Sequence, residues 1–155
     1  MSNFLNDSLS KQIERGEVFY AGIVDTSVSE DEITNWAIRC GTRDCSLSLD
    51  MLVETTFRVS LVSGITYSSG TQVTLNNLND ASSNTIAAEL KKSVSYSGGS
   101  SLWTSYLLNG KVSPTSPLSI SGGTILAANT DYAIQIINRD IDIVVLNANF
   151  FLREL

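Results

Sequence analysis

Leu52-Val53-Glu54-Thr55-Thr56-Phe57-Arg58-Val59-Ser60-Leu61-Val62 is the stretch on which the reading of this chain turns. Val53, Thr55, Phe57, Val59 and Leu61 fall on one side of an extended backbone, and Glu54, Thr56, Arg58 and Ser60 on the other. A period of two is the mark of a half-buried antiparallel strand with one face on a core and one on solvent. The spacing predicts a strand over 52–62, with Phe57 in the core and Arg58 outside.

The same period recurs on both sides of that stretch. Strands are predicted over 17–24, 71–75, 85–94, 102–108, 132–138 and 143–153. In the last of these Val144, Leu146, Ala148, Phe150 and Leu152 point inward. Turn residues punctuate the intervals: Ser68-Ser69-Gly70, Asn76-Asn77, Ser97-Gly98-Gly99, Asn109-Gly110 and Ser121-Gly122-Gly123. Asn-Gly between apolar runs is a strong hairpin signal, because a type I′ turn needs positive φ at both central residues. The segment 27–35 reads as an acidic loop, with Ser29 and Glu32 spaced as in a capping box. Seven to nine short strands with regular turns, and no amphipathic helices between them, predict an all-β antiparallel sandwich of jelly-roll-like topology.

One segment keeps a different period. Phe4, Leu5, Leu9 and Ile13 recur at near-helical spacing, and Gly16 stands where a helix would stop. Residues 1–16 are therefore read as a short N-terminal helix or arm, and 17–155 as a single sandwich domain. A helix this short is marginal alone and needs a surface to lie against. It packs either on its own domain or on a partner.

Composition limits the chemistry. At 155 residues, a single domain buries about 68–70% of the surface its unfolded chain exposes, enough to fold without staples. The 23 Ser, 13 Thr and 12 Asn make up roughly a third of the chain and favour strands and turns over solvated helices. Ten basic residues against sixteen acidic ones give a net charge of −6. Nucleic-acid binding needs several cations on one face, and Lys91-Lys92 is the one adjacent basic pair, so no nucleic-acid partner is expected. The chain has no histidine, which removes Ser-His-Asp and Cys-His catalysis and the common zinc sites. No apolar run approaches the roughly 20 residues that span a bilayer, and the first residues lack the pattern of a signal peptide, so no membrane partner is expected.

The remaining candidates are few. Cys40 and Cys45, with four residues between them, either close a small disulfide loop or remain thiols at a turn between strands. Asp140 and Asp142, with Asp131, could supply oxygen ligands, but Ile-Asp-Ile lacks the spacing and glycine of a calcium loop. No metal or other cofactor is expected. Trp36, Trp103, Tyr67, Tyr96 and Tyr106 are candidates for stacking on sugars. Trp103 and Tyr106 lie next to the Asn-Gly hairpin, and with Phe4, Leu5, Leu9 and Ile13 they are the candidate partner-interface residues.

Several stretches of the second half are similar to a known family. They are Tyr67-Ser-Ser-Gly-Thr71-Gln-Val-Thr-Leu-Asn76-Asn-Leu-Asn79, Ile120-Ser-Gly-Gly-Thr124, and Leu126-Ala-Ala-Asn129-Thr130-Asp-Tyr132 running on to Asn138. A late strand closes on Phe150-Phe151-Leu-Arg-Glu154. Over residues 57–155 the chain thus resembles the head decoration, or cement, proteins of tailed bacteriophages. Relatives often carry an arginine after the turn asparagine, where this chain has Asp80. The resemblance implies a non-enzymatic virion protein, made in the host cytoplasm, that binds the outside of the capsid and stabilises it. It implies the major capsid protein as partner and a homo-oligomer, dimer or trimer, bridging capsomers. The alternatives are a tail-fibre or receptor-binding sandwich that recognises a host glycan, and an enzyme acting on polysaccharide through paired carboxylates.

Overall fold

The computed structural model describes residues 9–53, 55–107, 118–119 and 124–155. A short helix α1 (Leu9–Glu14) precedes β1 (Phe19–Val28), β2 (Ile33–Arg39), β3 (Cys45–Val53) and β4 (Phe57–Ser68). Then come β5 (Thr71–Val73), β6 (Asn76–Asn77), β7 (Glu89–Lys92) and β8 (Ser95–Leu107). The chain closes with β9 (Leu118–Ser119), β10 (Thr124–Leu126), β11 (Asp131–Asn138) and β12 (Val144–Glu154).

Two antiparallel sheets face each other. One has the order β10-β3-β12-β1-β6, with β9 also paired to β3; the other runs β5-β7-β2-β11-β4-β8. Strands β1 to β4 alternate between the sheets, and β10, β11 and β12 do so again. Without β5, β6, β7 and β9, the two sheets reduce to β1-β12-β3-β10 and β2-β11-β4-β8, the two interlocked Greek keys of a jelly roll. The all-β sandwich with a short N-terminal helix is as expected.

The residues between the sheets explain why they stay together. Trp36 on β2 meets Phe150 on β12 edge to face, with ring centroids 5.3 Å apart, joining one sheet to the other. Around this pair Ile38, Leu47, Leu49, Met51, Phe57, Leu61, Leu90, Ile134, Ile136 and Leu146 are fully buried. β12 keeps the predicted alternation, with Leu146, Ala148, Phe150 and Leu152 all inward.

The continuous strand expected over 52–62 is instead two strands in different sheets. β3 ends at Val53 and β4 begins at Phe57, so the chain turns a corner between them. The alternation survives because both strands face the same core, which is why the sequence reads as unbroken. Asn138, wholly buried, holds this corner. Its Nδ2 donates to the carbonyls of Val28 at 3.0 Å and Asp142 at 2.9 Å. Its Oδ1 accepts from the Asp140 amide at 2.9 Å, and the Thr55 hydroxyl approaches it at 3.5 Å. One amide thus ties β1, the β3–β4 corner and the β11–β12 loop.

Other expectations changed in detail. Ser97-Gly98-Gly99 does not form a turn but lies inside β8, where Gly98 and Gly99 take φ of 72° and 85°. A Cβ at Gly99 would sit 2.8 Å from the Ser63 carbonyl, so the pairing with β4 requires glycine there. Asn76-Asn77 forms β6, while Ser69-Gly70 does make the expected turn. At 29–32 the capping-box spacing makes a turn without a helix, the Glu32 carboxylate accepting from the Ser29 amide at 2.7 Å. Asn109-Gly110 and Ser121-Gly122-Gly123 lie outside the described residues.

Two outcomes follow for stability. Phe57→Ala should cost about 3–5 kcal/mol in chemical denaturation, because it empties a buried ring site. Asn138→Ala leaves two carbonyls and an amide without their partner and should cost about 2–4 kcal/mol, read the same way. A loss below about 1 kcal/mol for Asn138→Ala would show that the corner holds without it.

Candidate interaction surfaces

The N-terminal segment is fastened at its C-terminal end. The Gly16 amide donates to the Ile13 carbonyl at 2.9 Å and the Glu17 amide to the Gln12 carbonyl at 3.1 Å. With Gly16 at φ 68°, this is a Schellman ending. Three asparagine amides then grip the departing chain: Asn79 Nδ2 donates to the Glu14 carbonyl, Asn84 Nδ2 to that of Arg15, and Asn77 Nδ2 to that of Gly16. The predicted stop at Gly16 is thus a docked joint. The helix itself buries no residue; Leu9 is 57% exposed and Ile13 is half-buried. Phe4 and Leu5 lie outside the described residues.

Trp103 and Tyr106 do not share a surface. Trp103 lies opposite Leu61 and packs on the core, whereas Tyr106 lies opposite Arg58 on the outer face and is 59% exposed. Three places on β8 reverse the side of the sheet. Among the other aromatic candidates, Trp36 is core, and Tyr67 and Tyr96 pack on a small outer cluster of Val62, Ile65 and Ala133. Tyr67 lies under two cations, the Arg39 guanidinium carbon 5.0 Å and Lys91 Nζ 5.7 Å from its ring centre. Burial pushes its hydroxyl pKa up. Arg39 forms a bidentate pair with Asp131 at 2.8 and 3.0 Å, which raises its own pKa. These rings are held by the fold.

The thiols of Cys40 and Cys45 are free and buried. The neighbouring Cys45 side chain, together with burial, pushes the Cys40 pKa well above its ordinary value, while Cys40 in turn lowers that of Cys45. A nucleophilic cysteine also needs access to solvent, and both thiols are buried. The carboxylates are similarly committed. Glu17 holds Arg15 at 2.8 Å and Arg153 at 3.1 Å, and Glu154 accepts from the Ala87 amide at 2.8 Å. Both glutamates line an open cleft of about 470 Å³ with Arg43 and Asn84. Asp140 accepts from the Asp142 amide. Among the described residues, no group of three or more metal-ligating side chains converges.

Most of the exposed large apolar side chains are aliphatic. At the end where β1 passes to β2 and β11 to β12, Ile141 is 78% exposed and Ile143 66%, with Ile33, Val24 and Val145 also outward. The loops that carry them are fixed by the Asn138 amide and by the Arg139–Asp31 ion pair at 3.0 Å. The sequence signal for this end was the run Ile143-Val144-Val145. Once Val144 faces inward, Val145 must face out, and an apolar residue on both faces exceeds what one core needs. On the outer face of the same sheet, Tyr20 and Phe151 pair at 5.3 Å, and Tyr20 Oη donates to Asn149 Oδ1 at 2.8 Å. Gly22 makes room: a Cβ there would stand 2.8 Å from the Tyr20 oxygen. Comparison with family models, curated proteins and solved structures gave no match for this chain.

Gly16→Ala tests the joint. The substitution forces a left-handed φ on alanine and drives its methyl into Ser82 Oγ. A loss of about 1–3 kcal/mol is expected, measured by denaturation. A neutral result would mean that the asparagine clasp does not hold the arm.

Proposed function

We propose that this chain is a non-enzymatic structural protein of a phage virion, binding the outside of the capsid shell and stabilising it as a homo-oligomer that bridges capsomers. One observation carries the reading: the aliphatic end formed by Ile33, Ile141 and Ile143 stands on loops rigidly fixed to a jelly roll. Exposed Ile and Val side chains on a fixed frame suit a preformed partner, since little ordering is lost on contact. Burying one such side chain contributes about 1.5–3 kcal/mol. Repeated attachment to a multivalent shell raises apparent affinity further without improving any single contact.

A second reading has its own observation. The Tyr20–Phe151 pair, with Asn149, Ser48 and Asp50 on the same sheet face, offers rings and polar groups of the kind that hold a sugar. A receptor-binding module on a tail fibre would use such a face.

Copy number on purified virions separates the two readings. A decoration protein is present in hundreds of copies against the major capsid protein, whereas a tail module is present in tens at most. Ile141→Asp with Ile143→Asp should lower binding to shells stripped of this protein by at least about tenfold, with the melting temperature unchanged. Undiminished binding would remove this end from the interface, and glycan binding lost on Tyr20→Ala would favour the second reading.

A further inference from the structure

The open edges of the two sheets are unequal. The terminal strands β5, β6, β9 and β10 are two or three residues long. Short edges are one way a sandwich avoids pairing with its neighbours. β8 departs from that rule. It is 13 residues long, ends its sheet, and among the described residues pairs only with β4. Its sequence, Ser-Tyr-Ser-Gly-Gly-Ser-Ser-Leu-Trp-Thr-Ser-Tyr-Leu, contains no charge and no proline, the residues that usually guard an edge.

Two large side chains of this edge, Leu102 and Tyr106, are exposed. Leu102 is the extra residue of a bulge, since Leu61 faces Trp103 and Val62 faces Ser101. Leu102 and Tyr106, on either side of Thr104, are 55% and 59% exposed. In a chain of net charge −6, a long uncharged edge is where two copies can approach without repulsion. An antiparallel strand pair related by a two-fold axis is self-complementary, so the same edge serves both partners. Centring the axis on Thr104 sets Leu102 of each copy against Tyr106 of the other.

We infer that β8 is a self-association edge through which two copies of this chain pair antiparallel, about a two-fold axis near Thr104, into one continuous sheet. The inference goes beyond the proposed capsid role and holds for the free protein whatever the assembly binds.

The test uses the full chain in solution, without shells. Sedimentation equilibrium should give a dimer mass that falls towards monomer on dilution. Amide exchange at the β8 residues around Thr104 whose N–H groups point away from β4 should be slow in the dimer and speed up on the same dilution. Leu102→Lys with Tyr106→Lys should weaken the dimer by at least about tenfold with the melting temperature unchanged, as both side chains are exposed. The exchange measurement needs no variant, so it decides the matter even if the double variant fails to fold. A monomer at every concentration, a trimer, or a dimer whose β8 amides exchange independently of dilution would each overturn the inference. So would protection, in the monomer, of the β8 amides that point away from β4, since the edge would then be covered within the chain. Loss of shell binding by a protein that still dimerises through β8 would count against the capsid reading alone.

Discussion

A jelly roll must carry its chain from one sheet to the other at almost every turn, and each crossing brings buried backbone polar groups to the end of the core. At one end of this sandwich the problem is met by a single side chain. Asn138 has one donor group and one acceptor, and it spends both on backbone that would otherwise be unsatisfied: Val28, Asp142 and Asp140. An unpaired buried polar group costs about 1–3 kcal/mol, so without this amide two crossings, β1 to β2 and β11 to β12, would share the penalty. The exposed aliphatic end owes its rigidity to the same clasp.

The opposite connections use a different device. The long passage from β4 to β8 lays β6 on β1 in one sheet and stacks β7 and β5 on β2 in the other. One excursion therefore caps both sheets along one side of the sandwich, and Val73, Leu75 and Ile86 from it pack on the core. The asparagines of this excursion also receive the N-terminal segment. Asn77 uses its Nδ2 on the Gly16 carbonyl and its Oδ1 on the Asn79 amide, so the turn and the joint are built from the same residues. The opposite side has no comparable cover among the described residues, which is why β8 stands out there.

Period-two alternation made the architecture legible, and the same signal concealed its main corner. A residue's side of the sheet depends only on the core it faces. Met51 and Phe57 therefore continue one pattern although they belong to different sheets. The glycines misled in a related way. Gly98-Gly99 has the composition of a turn, but its positive φ values serve close approach to β4 within a strand. For the surfaces, sequence spacing placed Trp103 and Tyr106 beside one loop without revealing that three residues of strand set them on opposite faces. Leu9 and Ile13 were legible as an apolar stripe, and the structure shows how the segment is anchored at Gly16. The β8 edge could not be read at all, because which strand ends a sheet is a property of topology.

Electrostatics sets the terms on which any partner meets this surface. Four of the ten cations, Arg15, Arg39, Arg139 and Arg153, are paired with Glu17, Asp131 and Asp31. The excess of acidic residues then dominates the field. At physiological salt that field decays over about 8 Å, so it governs approach and solubility more than the bound state. Specific association must come from contacts that displace water. The available groups are the aliphatic residues around Ile141 and the uncharged backbone of β8, which lie on separate parts of the sandwich. A protein built this way would gain affinity through apolar contact and strand pairing, and its binding should depend only weakly on ionic strength.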